Sequence, residues 1–340
     1  MASHIGKCVV GLLDYKGFRM DLVAELENGS DKAAAKLISI IENDSKSTSE
    51  YLSHIRFPSR KAHYVGITGP PGAGKSSIVD KFTAVLLKNK KSVGIIAVDP
   101  SSPISGGALL GDRLRLHGNT IGRKEVFFRS MSSRNVLGGI SNATRGAVRI
   151  LDGMGKDVIL IETVGIGQSE VDIARIADTI VVILTPESGD EIQILKSGIM
   201  ELGDIYVVNK ADRHGGDKMF TKIKAGISHT ARKGWFPEVL KTIAIEDVGI
   251  EELYFGVKKH FSHLNDSGKF EVEREEKLRA ELSALVIEEA IDRLRDTLVK
   301  CELFETWLNK IALNQANVYS ASKKIVDSIQ ILRTGVSGRE

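Results

Sequence analysis

A doubly wound α/β fold on a mostly parallel sheet is the architecture this chain predicts, and three observations lead to it. Apolar runs at 64–68, 93–98, 125–129, 157–161, 179–184, 205–208 and 239–245 alternate with helix-length segments. Most of these runs are apolar almost without interruption, as expected of strands covered on both faces. The first run opens directly into a glycine-rich turn and then a helix, the strand–loop–helix unit of phosphate-binding folds.

The N-terminal part, residues 1–60, reads as a helical segment. Ser30 is placed as an N-cap, with Ala33, Leu37, Ile40 and Ile41 on one apolar face before Glu42-Asn43-Asp44 ends the helix. Residues 61–265 form the expected α/β domain. After Asn265-Asp266-Ser267-Gly268 the chain turns helical to its end, and 266–340 is assigned as a C-terminal helical extension. Leu278, Leu282, Leu285, Ile291, Leu294 and Leu298 make an apolar stripe flanked by charge. Such a face needs a partner, either the preceding domain or a second copy; its length and lone stripe favour a dimer arm.

The 340 residues suffice for a sizeable core, and 42% hydrophobic with 27% charged residues is an ordinary globular composition. A formal net charge of +3 is too small to argue for nucleic acid or an anionic membrane as partner. No run approaches the length of a membrane span, and the first residues lack the layout of a signal peptide. Cys8 and Cys301 lie too far apart for a local metal motif. A cytoplasmic location is expected.

The turn after the first strand is Gly69-Pro70-Pro71-Gly72-Ala73-Gly74-Lys75-Ser76, followed by Ser77. Its glycines let the backbone N–H groups and the positive end of the next helix surround phosphate oxygens. Lys75 is placed to reach the β- and γ-phosphates, and the Ser76 hydroxyl to join the coordination of Mg²⁺. The pattern predicts a nucleoside triphosphate as ligand. Downstream, the apolar run at 205–208 ends in Asn209-Lys210-Ala211-Asp212. The Asp212 carboxylate matches the paired ring N–H and amino donors of guanine, which adenine lacks. GTP is therefore expected over ATP.

Three loops between these motifs carry the remaining chemistry. Asp99 ends a buried strand, Asp112 lies in the glycine-rich run Gly106–Arg113, and Glu162 ends the strand before Thr163-Val164-Gly165-Ile166-Gly167-Gln168. Ligands of open α/β sheets sit at the carboxyl ends of strands, so Asp99 and Glu162 should face the phosphates. Mg²⁺ takes hard oxygen ligands, and Ser76, Asp99, Asp112 and Glu162 are its candidates, directly or through water. Asp112 has an alternative as a helix cap beside Arg113 and Arg115. Gly165 is placed to offer its N–H to the γ-phosphate, which makes 163–171 and 100–115 switch loops, with 186–193 before Lys196 a third. Gln168, Glu170 and Asp99 are alternatives for orienting the attacking water.

Taken together, GPPGAGKSS, VDPSS, GGALLGDR, ETVGIGQSE and NKAD resemble the metallochaperone-type branch of SIMIBI-class P-loop GTPases. More narrowly, the set is similar to the MeaB/ArgK family, with Glu162 where Ras-like proteins carry aspartate. The resemblance spans roughly residues 16–325. It implies a GTPase that gates adenosylcobalamin loading on methylmalonyl-CoA mutase or a related acyl-CoA mutase, with the cobalamin held by the partner. It also implies a homodimer. The guanine loop departs from the family's Ser-Ala pair, carrying Ile243-Ala244 after Lys241-Thr242. Two other classes are alternatives: a nickel- or zinc-insertion GTPase and a transport-linked kinase. The first lacks a cysteine or histidine tract, with His260 and His263 the nearest pair; the second lacks any kinase catalytic loop.

Overall fold

The computed structural model describes residues 21–43, 51–58, 61–99, 122–132, 142–163, 172–186, 198–227, 234–299 and 302–328. Seven strands form one parallel sheet: β1 (His63–Thr68), β2 (Val93–Asp99), β3 (Val126–Ser132), β4 (Val158–Glu162), β5 (Thr179–Leu184), β6 (Ile205–Asn209) and β7 (Glu238–Thr242). Their spatial order is β3-β2-β4-β1-β5-β6-β7, every pairing parallel. β1 lies near the centre, where the winding reverses direction, and the crevice outside its carboxyl end is the expected ligand position.

The two-residue period of each strand divides its side chains between two cores. Ile159 and Ile161 of β4, Val182 and Leu184 of β5, and Tyr206 and Val208 of β6 join one core. Leu160, Val181, Ile183, Ile205 and Val207 join the other. Burying each such aliphatic side chain contributes about 1.5–3 kcal/mol, which explains the unbroken apolar runs. The first core is roofed by α1 (21–27), α2 (Asp31–Asn43), α4 (Asn142–Gly153) and α5 (Gly216–Ile227); the second by α3 (Lys75–Lys88) and α6 (Ile250–Asp266). On β1 the first face is occupied by Gly66, where an added Cβ would lie 2.7 Å from Ile173. Only a residue without a side chain lets the 172–177 segment pack there.

Ser30 caps α2 as its sequence predicts, its Oγ accepting from the Ala33 N–H at 3.2 Å. The buried stripe is shifted by part of a turn: Ala33, Ala34, Leu37, Ile38 and Ile41 are buried, and Ile40 is only half-buried. Spacing at i, i+4 and i+7 from Ala34 outweighs the run containing Ile40, since α2 packs mainly on α4. The last strand is shorter than its apolar run, ending at Thr242. Ala244–Glu246 form a 3₁₀ turn because the Ala244 N–H leaves the ladder for a side chain of β6.

At the amino ends of the strands, His63 Nε2 and His260 Nδ1 both hydrogen-bond the Thr179 hydroxyl, at 2.7 and 2.8 Å. Phe261 stacks on His63 with ring centroids 4.1 Å apart, fastening α6 to β1 and β5.

The chain divides into two compact units, residues 1–273 and 274–340. The N-terminal helices share the first unit's core. The second unit comprises most of α7 (Lys269–Val299), with α8 (Glu302–Ala312) and α9 (Val318–Ser328). Within it α8 packs on α9, and the Trp307 ring carries Lys310 Nζ at 4.8 Å and Lys324 Nζ at 5.0 Å. Leu278, Leu282, Leu285 and Ile291 of the predicted stripe are exposed; Leu294 and Leu298 are half-buried.

Candidate nucleotide and metal site

The loop from Gly69 to Ser76 joins β1 to α3 at the carboxyl edge of the sheet. Two of its glycines are required by close approach. Gly69 has φ +141°, and a Cβ there would come within 2.0 Å of the Ile183 carbonyl oxygen. Gly74 has φ +89° and caps α3, with Asn209 Nδ2 only 2.3 Å from where its Cβ would be. No side chain caps α3, so its first N–H groups face the loop's concavity. Ala73 and Lys75 are buried, while Pro71, Gly72 and Ser77 are exposed and Pro70 lies between. Lys75 Nζ donates to the Gly69 and Pro70 carbonyls at 2.8 and 3.1 Å, which places its ammonium over the loop.

β4 is the neighbour of β1, and Ile67 is the register partner of Glu162. That pairing brings Glu162 to the first turn of α3, where its Oε1 accepts from the Ser76 hydroxyl at 2.6 Å. Two oxygen-bearing side chains thus meet at the mouth of the loop, and oxygen is the donor type a hard cation takes. Both belong to the four residues predicted for Mg²⁺. Asp99 is the last residue of β2, two positions beyond Ala97, which is paired in register with Glu162. Asp112, Gly165 and Gln168 lie outside the described residues, as do Glu170, Arg113, Arg115 and Lys196. Arg175 pairs with Asp172 at 3.4 Å.

The Asn-Lys-Ala-Asp tetrad leaves the end of β6, on the other side of β1 from Glu162. Asn209 is 2% exposed, and both the nitrogen and the oxygen of its amide are hydrogen-bonded. Its Nδ2 donates to the Ala73 carbonyl at 2.9 Å, and its Oδ1 accepts from Thr242 Oγ1 at 3.0 Å and the Ala244 N–H at 3.2 Å. One amide therefore joins the phosphate loop, the tetrad and the loop after β7. Lys210 turns the chain with φ +55°, and Ala211 N–H is held by the Thr242 carbonyl at 3.1 Å. Asp212 is left exposed beyond that turn. Ile243 pairs with Val248 across the 3₁₀ turn, and Lys81 of α3 reaches Asp247 at 2.9 Å. Ile243 thus has its N–H bound to the Val248 carbonyl, and isoleucine is accommodated because this position holds the loop by backbone alone.

The structure joins Lys75 and Ser76 of the phosphate loop to Glu162 on one side and, through the Ala73 carbonyl, to Asn209 on the other, where Lys210 and Asp212 follow in the chain and Ile243 and Ala244 lie beyond β7. Sequence reading missed the Asn209 crosslink and a buried hydroxyl pair, Thr68 and Thr163. Neither has a linear signal, since the partners come from distant segments. His260 is bound to Thr179, and among the described residues no group of three or more His, Cys, Asp or Glu side chains is arranged to hold a metal. No described helix is long and apolar enough to cross a membrane.

Comparison with known proteins agrees with this geometry. Residues 34–298 match the model of the methylmalonyl-CoA mutase-associated GTPase MeaB. A Pyrococcus abyssi protein whose name assigns it to the GTPases is 38% identical over 326 residues, covering 94% of this chain and 99% of that one. GTPase ArgK of Escherichia coli is 35% identical, covering 68% of this chain and 71% of its own. The crystal structure of a LAO/AO transport system kinase shares the fold, with TM-score 0.68 at 24% identity over 92% of this chain and 98% of that chain. The sheet, the phosphate loop, the strand-end glutamate and the family match converge on one assignment: this chain is a P-loop GTPase and belongs to the MeaB family.

Proposed function

We propose that the chain is a Mg²⁺-dependent, guanine-selective GTPase that regulates an adenosylcobalamin-dependent mutase of the methylmalonyl-CoA type. The observation that carries the catalytic half is the 2.6 Å contact between Ser76 and Glu162 beside Lys75. On this reading Lys75 exchanges its carbonyl partners for β- and γ-phosphate oxygens, and the positive end of α3 points at the same anion. Ser76 and Glu162, with Asp99 and Asp112, would hold Mg²⁺ directly or through water. The bound ion would neutralise charge across the β- and γ-oxygens. Gly165 acts at the γ-phosphate through its N–H, with Gln168, Glu170 or Asp99 orienting the attacking water. Asp212 accepts from guanine, Lys210 lines the base, and Asn209, Ile243 and Ala244 set the wall behind it. GTP and GDP are thus substrate and product.

The regulatory half is supported by the family, whose name joins it to methylmalonyl-CoA mutase. Hydrolysis would then time cofactor loading, with adenosylcobalamin on the mutase, in the cytoplasm. The exposed apolar residues of α7 fit a homodimer arm. The metal-insertion reading is set apart by the sequence, which carries no cysteine or histidine tract. The test mixes the protein with the mutase from the same source in GTP and GDP. A complex whose affinity depends on nucleotide, with GTP turnover raised tenfold or more, is expected; a partner that completes such a site reaches about 10³–10⁵ at the extreme. No complex in either state and unchanged turnover would overturn the regulatory half and leave the GTPase.

A further inference from the structure

The two halves of the phosphate site stand on adjacent strands, and one side-chain bond joins their ends. Thr68 is the last residue of β1, directly before Gly69; Thr163 directly follows Glu162 at the end of β4. The β1–β4 ladder is carried one step past Ile67 and Glu162 by the Thr163 N–H, which donates to the Ile67 carbonyl at 3.1 Å. Beyond it the Thr163 hydroxyl donates to Thr68 Oγ1 at 3.0 Å. Both residues are sealed from solvent, at 0% and 1% exposure, so water does not compete for this bond. A β-branched side chain has few χ1 choices, which keeps each hydroxyl aimed at the other.

Each end is rigid in a different way. Gly69 is wedged against the Ile183 carbonyl and carries the oxygen that binds Lys75 Nζ at 2.8 Å. Glu162 holds the Ser76 hydroxyl at 2.6 Å. A shift of β4 along β1 would therefore move the Glu162 carboxylate relative to Lys75 and Ser76. Backbone hydrogen bonds oppose that shift along the whole ladder, but the hydroxyl pair acts where the two loops depart.

We infer that Thr68 and Thr163 are a positioning pair for GTP hydrolysis, holding Glu162 in register with the phosphate loop. This rests on the reading of Ser76 and Glu162 as the metal-holding pair. Neither threonine touches the nucleotide; both act through Glu162 and Gly69. Binding of GDP, which depends on the loop and the tetrad, should be indifferent to the pair. Hydrolysis, which needs Glu162 placed to a fraction of an ångström, should not be.

The experiment uses the full chain and five variants: Thr68→Val, Thr163→Val, the double valine variant, Thr163→Ser and Glu162→Gln. Valine keeps the shape of threonine and removes only the hydroxyl. Each single variant strands one buried hydroxyl and should lower the unfolding midpoint; the double variant strands none and should recover it. Single-turnover GTP hydrolysis should fall about tenfold in the single variants and stay low in the double variant, with GDP affinity within about twofold of the parent. Thr163→Ser should restore most of the rate. A double variant that recovers both stability and hydrolysis would show a merely structural pair and overturn the inference. So would a loss of rate matched by equal loss of GDP affinity. Glu162→Gln separates the layers: normal hydrolysis in that variant removes the foundation along with the pair, whereas impaired hydrolysis there beside normal rates in all valine variants removes the pair alone.

Discussion

Asn209 Nδ2 donates to the Ala73 carbonyl at 2.9 Å, so a side chain 136 positions downstream closes the back of the phosphate loop. The same amide accepts from Thr242 and Ala244. The base-side and phosphate-side loops are consequently one hydrogen-bonded body.

Asn209→Ala should lower stability and nucleotide affinity together. It strands the buried Ala73 carbonyl and Thr242 hydroxyl, each about 1–3 kcal/mol if left unmade. Denaturant unfolding alongside titration with a fluorescent GDP analogue measures both. Unchanged affinity would show that the loops are positioned independently.

Gly74→Ala should damage binding more than Gly72→Ala does. Both glycines have positive φ, +89° and +76°, so both variants bear backbone strain of about 1–2 kcal/mol. Only at position 74 does the new methyl meet an obstacle, Asn209 Nδ2 at 2.3 Å, and that side chain is tied at both ends. Equal GDP affinities in the two variants would contradict the crowding argument.

Asp212→Asn tests the base assignment. An amide in place of the carboxylate can donate, so GTP should bind about tenfold or more weakly, and xanthosine triphosphate better than in the parent. Competition by ATP equal to GTP in the parent protein would refute guanine selectivity.

Lys156 predicts an alkaline pH effect on stability. Burial at 6% exposure holds its ammonium below the ordinary 10.5, partly offset by the charges of Asp31 and Glu125. The unfolded chain therefore binds more protons between the lowered value and 10.5, and stability rises with pH across that window. Its Nζ contacts to the Glu125 and Lys124 carbonyls, at 3.3 and 3.5 Å, are too long to repay the desolvation. Lys156→Met should raise stability at pH 7 by on the order of 1 kcal/mol and flatten the alkaline slope. Unfolding midpoints from pH 7 to 10 decide it; an unchanged slope would assign the rise to another group.

The amino-acid sequence by itself determined the elements and their type. Seven apolar runs become seven strands because each is long enough to span the sheet and most are apolar enough for both faces, the edge strands β3 and β7 being only partly buried. The Gly69–Ser76 loop is legible because its chemistry is local: backbone donors, a lysine and a hydroxyl within eight neighbouring residues. Ser30 was readable for the same reason, its bond reaching only three residues ahead. Tertiary structure alone decided what meets across strands. Placing β4 beside β1 put Glu162 on Ser76 and Thr163 on Thr68; placing β7 beside β6 drew Ala244 to Asn209 and cut the last strand short at Thr242. Strand order is set by how crossover helices pack on a twisted sheet, a property of the whole chain, and no short stretch of residues encodes it.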